Sequence, residues 1–255
     1  MRKRVLAGLA ALLLWAGGAA ASDLCPLPPG AEPHASALPR TRQALAGGKP
    51  LTVVALGSSS TEGVGASGPA ATYPSRLQAV LAGRHAASGI VVLNKGIGGE
   101  TAEANLRRLD RDVLGERPDL VIWQVGTNDS IRGVPLADFA ETVRRGAVLV
   151  HGSGADLILM NPQSYPGEAK VPSYPAFAAA VLDLGRDLGV PVLDRYGIMK
   201  WWLDSGRLPA DRILSPDGLH LKDTSYACLA EFLADMIDGT AAAGAKTATN
   251  AATVR

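Results

Sequence analysis

This 255-residue chain has little net charge, few aromatic side chains and only two cysteines. The 25 Lys and Arg residues nearly balance the 24 Asp and Glu residues, and only 19% of the chain is charged. That balance argues against a nucleic-acid-binding protein and against a disordered polyelectrolyte. Two cysteines are too few for a small disulfide-stapled scaffold. No spacing of His, Cys and carboxylates is typical of a zinc site, and no P-loop is present, so we expect neither a metal nor another cofactor.

The first 21 residues have the charge and hydropathy pattern of a secretory signal. Three basic residues at positions 2–4 precede an apolar run from Val5 to about Trp15, and small residues follow it. Because that run is too short to span a bilayer comfortably, we expect residues 1–21 to be a signal peptide cleaved near Ala21, with no stable membrane insertion afterwards. The chain is therefore predicted to be secreted or periplasmic. The alternative is an uncleaved N-terminal anchor.

Export into an oxidising compartment affects the interpretation of the two cysteines. Cys25 lies just inside the predicted mature N-terminus, and Cys228 lies in the last predicted helix. We expect one disulfide between them, which would join the two ends of the fold. The alternative is two unpaired thiols, with Cys228 packed on its helix.

The remaining chain divides into three parts by composition. Residues 22–44 are Pro-rich and are predicted to be a lead-in, and residues 45–240 are predicted to form one domain. Residues 241–255 are mostly Ala and Thr and are predicted to be a disordered tail. With 47% hydrophobic residues the chain can form one sizeable core.

Short apolar runs alternate with segments of helical spacing along residues 45–240. The runs predicted as strands are Leu51–Leu56, Ile90–Leu93, Asp119–Val125, Asp156–Met160 and Val190–Leu193. Near-continuous runs rich in β-branched residues are typical of strands buried on both faces of a parallel sheet. Between them, apolar residues recur every three or four positions, as helices require. The order predicts a three-layer α/β/α sandwich around a five-stranded parallel sheet.

Polar blocks follow the first three predicted strands, and a fourth block lies near the end of the domain. They are residues 57–63 (GSSSTEG), 94–101 (NKGIGGET), 126–129 (GTND) and 215–220 (SPDGLH). In such a sheet, sites gather at the carboxyl ends of the strands. Acyl transfer needs a hydroxyl nucleophile, a base, a group that orients the base, and donors for an oxyanion. The four blocks supply serines, an Asp and a His, glycine backbone N–H groups and an amide. A GxGxxG match at residues 63–68 starts well past its strand, and we interpret it as chance.

The four blocks resemble those of the SGNH, or GDSL-type, hydrolases, a family with a flavodoxin-like sandwich that hydrolyses or transfers acyl esters. The resemblance spans residues 57–220 and places the functional groups at Ser59, Gly99, Asn128, Asp217 and His220. It departs at Ser58, where the family pattern has Asp. Ser58 and Ser60 therefore stay open as rival nucleophiles.

The resemblance implies a mechanism for these residues. Ser59 attacks an ester carbonyl, and His220 takes its proton and returns it to the leaving alcohol. Asp217 orients the imidazole. The backbone N–H groups of Ser59 and Gly99 and the amide of Asn128 form the oxyanion hole. Structural alternatives remain: the first block could bind a phosphate, and Asn128, Asp217 or Gly99 could serve only to shape turns.

These features predict a secreted serine esterase that hydrolyses small acyl, acetyl-type esters. Its substrate is expected to be a small-molecule or glycan ester, with no nucleic acid involved, and the oligomeric state is not indicated. The alternative is an acyltransferase that uses the same triad with a glycan or alcohol acceptor, and a non-catalytic binding protein ranks third. Four aromatic residues between the fourth strand and the last block either line the pocket or pack in the core: Trp201, Trp202, Tyr165 and Tyr174.

Overall fold

The computed structural model describes residues 24–31 and 38–239. Its centre is a parallel five-stranded sheet. The strands are β1 (Leu51–Gly57), β2 (Ile90–Gly96), β3 (Leu120–Gln124), β4 (Asp156–Met160) and β5 (Val192–Leu193). They lie in the order β2-β1-β3-β4-β5, so the direction of winding reverses between β1 and β3, where open α/β sheets form their sites. The predicted flavodoxin-like sheet is confirmed. The predicted signal peptide and C-terminal tail lie outside the described residues.

Helices cover both faces of the sheet. In chain order they are α1 (Pro39–Ala46), α2 (Ser59–Glu62), α3 (Tyr73–Arg84), α4 (Ala102–Asp112), α5 (Thr127–Ile131), α6 (Leu136–Gly152), α7 (Tyr174–Leu188), α8 (Arg195–Asp204), α9 (Ala210–Ile213) and α10 (Asp223–Asp238). Three short 3-10 turns span Pro69–Ala71, Leu114–Glu116 and Pro166–Lys170. None of the helices in the described part of the chain is long and apolar enough to cross a membrane.

Alternate side chains of the central strands enter two separate cores. On β1, Val53 and Ala55 pack with α1, α3, α8 and α10, while Val54 and Leu56 pack with α4, α6 and α7. This alternation follows from the two-residue period of a strand. Both faces of β1, β3 and β4 are therefore buried, as their apolar runs predicted.

The edge strand β2 departs from the predicted burial. Its residues are half-buried or exposed, and Val91 is 45% exposed. The run Ile90–Leu93 is as apolar as those of the central strands. A local pattern specifies a strand, but its place in the sheet depends on long-range pairing, so the prediction of burial on both faces is wrong for β2.

The helix α1 begins in the segment predicted as a lead-in, residues 22–44, and ends at Ala46 in the predicted domain. Its first turn is held by Asp156 at the start of β4, whose carboxylate accepts from the backbone N–H of Thr41 at 2.7 Å. Leu38, just before the helix, is fully buried in the core. Pro39 at the first position of the helix is a local signal for a helix start. The contact with Asp156, 115 positions away, could not be predicted from any local pattern.

The disulfide expected from the sequence is present. Cys25 and Cys228 are joined with a Cα–Cα distance of 5.3 Å, which fixes the N-terminal segment to α10. The indole N–H of Trp202 donates to the carbonyl of Pro26 at 2.6 Å and holds the same segment against α8. Trp202, Tyr165 and Tyr174 are buried in the core, so core packing, and not the lining of a pocket, is their observed environment.

Candidate active site

The first block turns sharply from β1 into the short helix α2. A Cβ on Gly57 would lie 2.3 Å from the Thr61 hydroxyl, so only glycine fits this turn. Ser59, the first residue of α2, is half-buried. Its hydroxyl lies 2.9 Å from Nε2 of His220, which is 161 residues further along the chain.

The two neighbouring serines have different surroundings. Ser58 is 3% exposed and Ser60 is 1% exposed. The Ser58 hydroxyl donates to Oε1 of Gln124 at 3.1 Å, and the Ser58 backbone N–H donates to the same oxygen at 3.0 Å. The hydroxyl of Ser58 is therefore hydrogen-bonded to a side chain of β3, whereas the hydroxyl of Ser59 contacts the imidazole of His220.

His220 and Asp217 are joined within the last block. Nδ1 of His220 lies 2.5 Å from Oδ2 of Asp217. The other carboxylate oxygen, Oδ1, accepts from the backbone N–H groups of Leu219 and His220, each at 2.9 Å, and from the Ser215 hydroxyl at 2.7 Å. Partial burial raises the pKa of Asp217, but these hydrogen bonds outweigh it and hold that pKa well below its usual range. An ionised Asp217 accepts a hydrogen bond from the Nδ1–H group of His220, which leaves Nε2 free to accept one from the Ser59 hydroxyl.

Gly65 fixes the position of the block that contains His220. A Cβ on Gly65 would lie 2.4 Å from the carbonyl oxygen of Leu221 and 3.3 Å from Cβ of His220. Its φ of +89° is also in the left-handed region that favours glycine. The glycine-rich stretch at 63–68 therefore permits close packing of the loop that follows α2 against the loop of His220.

The second block lies beside Ser59, and the third block contacts the second. A Cβ on Gly98 would lie 4.0 Å from Cβ of Ser59. Gly99 has a φ of +78°. The side-chain amide of Asn128 donates to the backbone carbonyl of Glu100 at 2.9 Å. The structure thus places Gly98 beside Ser59 and Asn128 beside the residue that follows Gly99.

The carboxylate of Asp129, next to Asn128, is hydrogen-bonded to the backbone. It is buried, and its carboxylate accepts from the backbone N–H of Ala102, the first residue of α4, at 2.9 Å. Burial raises the pKa of Asp129, and hydrogen bonds from the backbone of Ala102 oppose that rise. Asp129 therefore ties α5 to the start of α4.

The model of the Non-GDSL lipase-like family matches residues 24–243. The chain belongs to the Non-GDSL lipase-like family. The resemblance to SGNH hydrolases that the four blocks predicted is confirmed. Within this family, the first block of the chain has Ser58 in place of the Asp of the GDSL pattern.

The individual relatives of this chain are distant from it in sequence. An arylesterase of Vibrio mimicus is 26% identical over 147 residues, which cover 57% of this chain and 68% of the relative. A lipase/acylhydrolase from Enterococcus faecalis is 24% identical, with a TM-score of 0.62 over 74% of this chain and 96% of that chain. A catalytic mutant of an acetylxylan esterase from Geobacillus stearothermophilus is 20% identical, with a TM-score of 0.64 over 73% and 94%. The structural likenesses establish the fold.

Several residues that support the site of this lipase-like protein were missed by the sequence analysis. They are Gln124, which accepts from Ser58, and Glu100, Asn105 and Arg108, which form a cluster under the second block. Gln124 is the last residue of β3 and lies inside the strand predicted at Asp119–Val125, and Asn105 and Arg108 lie on α4. Their position in the sequence resembles that of ordinary strand or helix residues, so no local signal distinguishes them. Within the described residues, no group of His, Cys and carboxylates is arranged to hold a metal ion.

Proposed function

We propose that this protein is a serine esterase in which Ser59, His220 and Asp217 form the catalytic triad. The observation that supports it most is the continuous line of hydrogen bonds from the Ser59 hydroxyl through the imidazole to the Asp217 carboxylate, at 2.9 and 2.5 Å. The distance of 2.9 Å between the Ser59 hydroxyl and Nε2 of His220 is within the range that proton transfer from nucleophile to base requires.

The proposed reaction starts from the contact between Ser59 and His220. The Ser59 oxygen bonds to the ester carbonyl carbon while its proton passes to Nε2 of His220. The oxyanion that forms faces the backbone N–H groups of Ser59 and Gly99 and the amide of Asn128. Collapse breaks the ester C–O bond, and His220 returns the proton to the leaving alcohol. Water then bonds to the acyl carbon while its proton passes to the same imidazole. The bond to the Ser59 oxygen breaks as His220 returns that proton to it, which releases the acid.

Asn128 is suited to the oxyanion hole because its amide is already oriented. An amide nitrogen has two hydrogens, and one of them is donated to the carbonyl of Glu100. The second hydrogen remains for an oxyanion. A donor of this kind typically lowers the barrier by about 2.7–4 kcal/mol.

We further propose small acyl esters, with acetyl esters foremost, as the substrates, and a glycan ester as one source of them. The support is the similarity in fold to an acetylxylan esterase together with the esterase relative in sequence. Residues 45–240 are proposed as the catalytic domain. Export is proposed from the basic and apolar N-terminus and is supported by the disulfide, since such bonds persist in oxidising compartments. Mass spectrometry of the exported protein should find an N-terminus at Ser22.

The test is hydrolysis of 4-nitrophenyl acetate by the purified protein and two serine variants. Ser59→Ala should lower kcat by about 10⁴-fold or more, because the nucleophile is lost. Ser58→Ala is the matched control and should keep most of the activity, since Gln124 retains its bond from the Ser58 backbone N–H. An active Ser59→Ala variant, or an inactive but folded Ser58→Ala variant, would refute the assignment.

A further inference from the structure

A buried ionic cluster lies beneath the loop that contains Gly99. The carboxylate of Glu100 accepts from Nε of Arg108 at 2.8 Å and lies 2.6 Å from Nη2 of the same guanidinium. It also accepts from the amide of Asn105 at 2.6 Å. The side chains of Arg108 and Glu100 are only 8% and 17% exposed. Water therefore screens this pair weakly, and its geometry is held by three donors on one carboxylate.

The cluster is anchored to the ends of three strands. Nη2 of Arg108 also donates to the carbonyl of Lys95, near the end of β2, at 2.7 Å, and lies 3.4 Å from the carbonyl of Gly57 at the end of β1. The side-chain oxygen of Asn105 accepts from the indole of Trp123 on β3 at 3.0 Å. Glu100 is thus fixed relative to the sheet edge from which Ser59 projects.

Both proposed oxyanion donors outside Ser59 depend on Glu100. Gly99 precedes it in the chain, and the amide of Asn128 donates to its backbone carbonyl. Gly98 and Gly99, between the end of β2 and Glu100, have no side chains that could hold the loop in place. A rigid contact at Glu100 therefore restricts the directions in which the Gly99 N–H and the Asn128 amide point.

We propose that Glu100 and Arg108 are positioning residues that preorganise the oxyanion hole. The proposal rests on the proposed esterase function. Donors that are fixed before the reaction stabilise the oxyanion without reorganising, so their misplacement raises the barrier of the chemical step more than it weakens substrate binding. Neither residue contacts the reacting atoms.

The kinetic test compares Arg108→Gln with Arg107→Gln. Arg107 is the matched control: it is the neighbouring residue on α4, its side chain is 68% exposed, and it pairs at 3.6 Å with Glu103 on the helix surface. Arg108→Gln should lower kcat for 4-nitrophenyl acetate by about 10- to 100-fold, with KM within about twofold. Arg107→Gln should change neither. An unchanged kcat, or a change confined to KM, would overturn the proposal.

A double-variant cycle separates positioning from general loosening of the fold. If Arg108 acts through the oxyanion hole, Arg108→Gln should lower kcat by a much smaller factor in an Asn128→Ala background than in the native protein. Full additivity of the two losses would overturn the proposal. Where Arg108→Gln does not fold, Glu100→Gln replaces it, since it preserves the shape of the side chain and leaves no unpaired carboxylate.

A readout without substrate distinguishes failure of this proposal from failure of the esterase assignment. The backbone N–H of Ile97 donates to the carbonyl of Gly57 at 3.1 Å, and that of Glu100 donates to the carbonyl of Ile97 at 3.3 Å. Glu100→Gln should speed hydrogen exchange at these two amides while amides of α6 keep their native rates. Unchanged exchange in the loop would overturn the proposal. A native protein without esterase activity would refute the proposed function, and the exchange result would still decide whether the cluster orders the loop.

Discussion

Breaking the Cys25–Cys228 disulfide should lower the free energy of unfolding by as much as about 5 kcal/mol. The two residues are 203 positions apart, so the bond closes nearly the whole folded chain. In the chain-entropy model, a loop of that length removes about 18 cal/mol/K from the unfolded ensemble, or about 5 kcal/mol at 25 °C. That is a large part of the total stability of a typical domain.

The better variant for this purpose is Cys25→Ala. Cys228 is fully buried on α10, whereas Cys25 is half-buried at the edge of the core. Replacing Cys25 therefore removes the cross-link without creating a cavity under α10. The N-terminal segment also keeps the bond from the Trp202 indole to the carbonyl of Pro26, so the measured loss should come mainly from the lost cross-link.

Urea unfolding followed by circular dichroism measures the effect. With a slope of about 2–3 kcal/mol/M, a loss of about 5 kcal/mol moves the midpoint down by about 2 M. Native protein treated with a reductant is the control and should show the same midpoint as Cys25→Ala. A loss below about 1 kcal/mol in both samples would refute the reasoning, because it would mean that the cross-link does not restrict the unfolded chain.

Two further predictions concern the block that contains His220. Gly65→Ala should lower kcat by about 10-fold or more, because its Cβ would displace the carbonyl of Leu221 and with it His220. Gly206→Ala is the control, because Gly206 has a similar positive φ but no atom within 4 Å of the new Cβ. It should lower the free energy of unfolding and leave kcat unchanged. Equal kcat in the two variants would contradict the role of Gly65. Asp217→Asn should lower kcat by about 10⁴-fold. Because the pKa of Asp217 is lowered in the fold, its carboxylate stabilises the protein above about pH 4, and this contribution is lost as the pH falls towards the lowered value. The Asn variant should therefore show a weaker loss of Tm on acidification than the native protein, and an identical acid dependence would refute this.

Much of the fold was predictable because its central strands are defined locally. The strand predicted at Asp156–Met160 has those bounds in the structure, and Leu51–Leu56 differs by one residue. Continuous apolar runs identify such strands because both faces must be covered. The run Ile90–Leu93 was predicted as equally buried, yet β2 lies at an edge. Edge position depends on which strands pair, and that information is spread over the whole chain.

The candidate site was predictable where each block follows a strand directly. Ser59 follows β1 directly, and Gly99 and Asn128 come after β2 and β3, so the parallel sheet brings these three blocks to one edge. His220 follows no strand, and its place beside Ser59, 161 residues earlier in the chain, was implied only by the resemblance to the family. The supporting residues were not predictable. Arg108 and Asn105 occupy helix positions that a sequence pattern assigns to an amphipathic surface, and their contacts with Glu100 arise only when α4 packs against the sheet.

The sequence left the environment of the aromatic residues open. Trp202 and Tyr174 were considered both for the pocket and for the core, because they lie between two polar blocks, and the structure has them in the core. A large apolar ring is favourable in either environment, so sequence position alone could not separate the two. Whether Tyr174 and Trp202 enter the core or a pocket depends on how α7 and α8 pack against the sheet.

The central claim is that Ser59 is a nucleophile activated by His220. Labelling with a fluorophosphonate followed by peptide mass spectrometry tests it most directly, because the reagent bonds only to a hydroxyl whose proton is removed by a nearby base. We expect one adduct per chain, on Ser59, and labelling in His220→Ala slower by about 10³-fold or more. An adduct on Ser58 or Ser60, or labelling of Ser59 at the same rate in His220→Ala, would contradict the account.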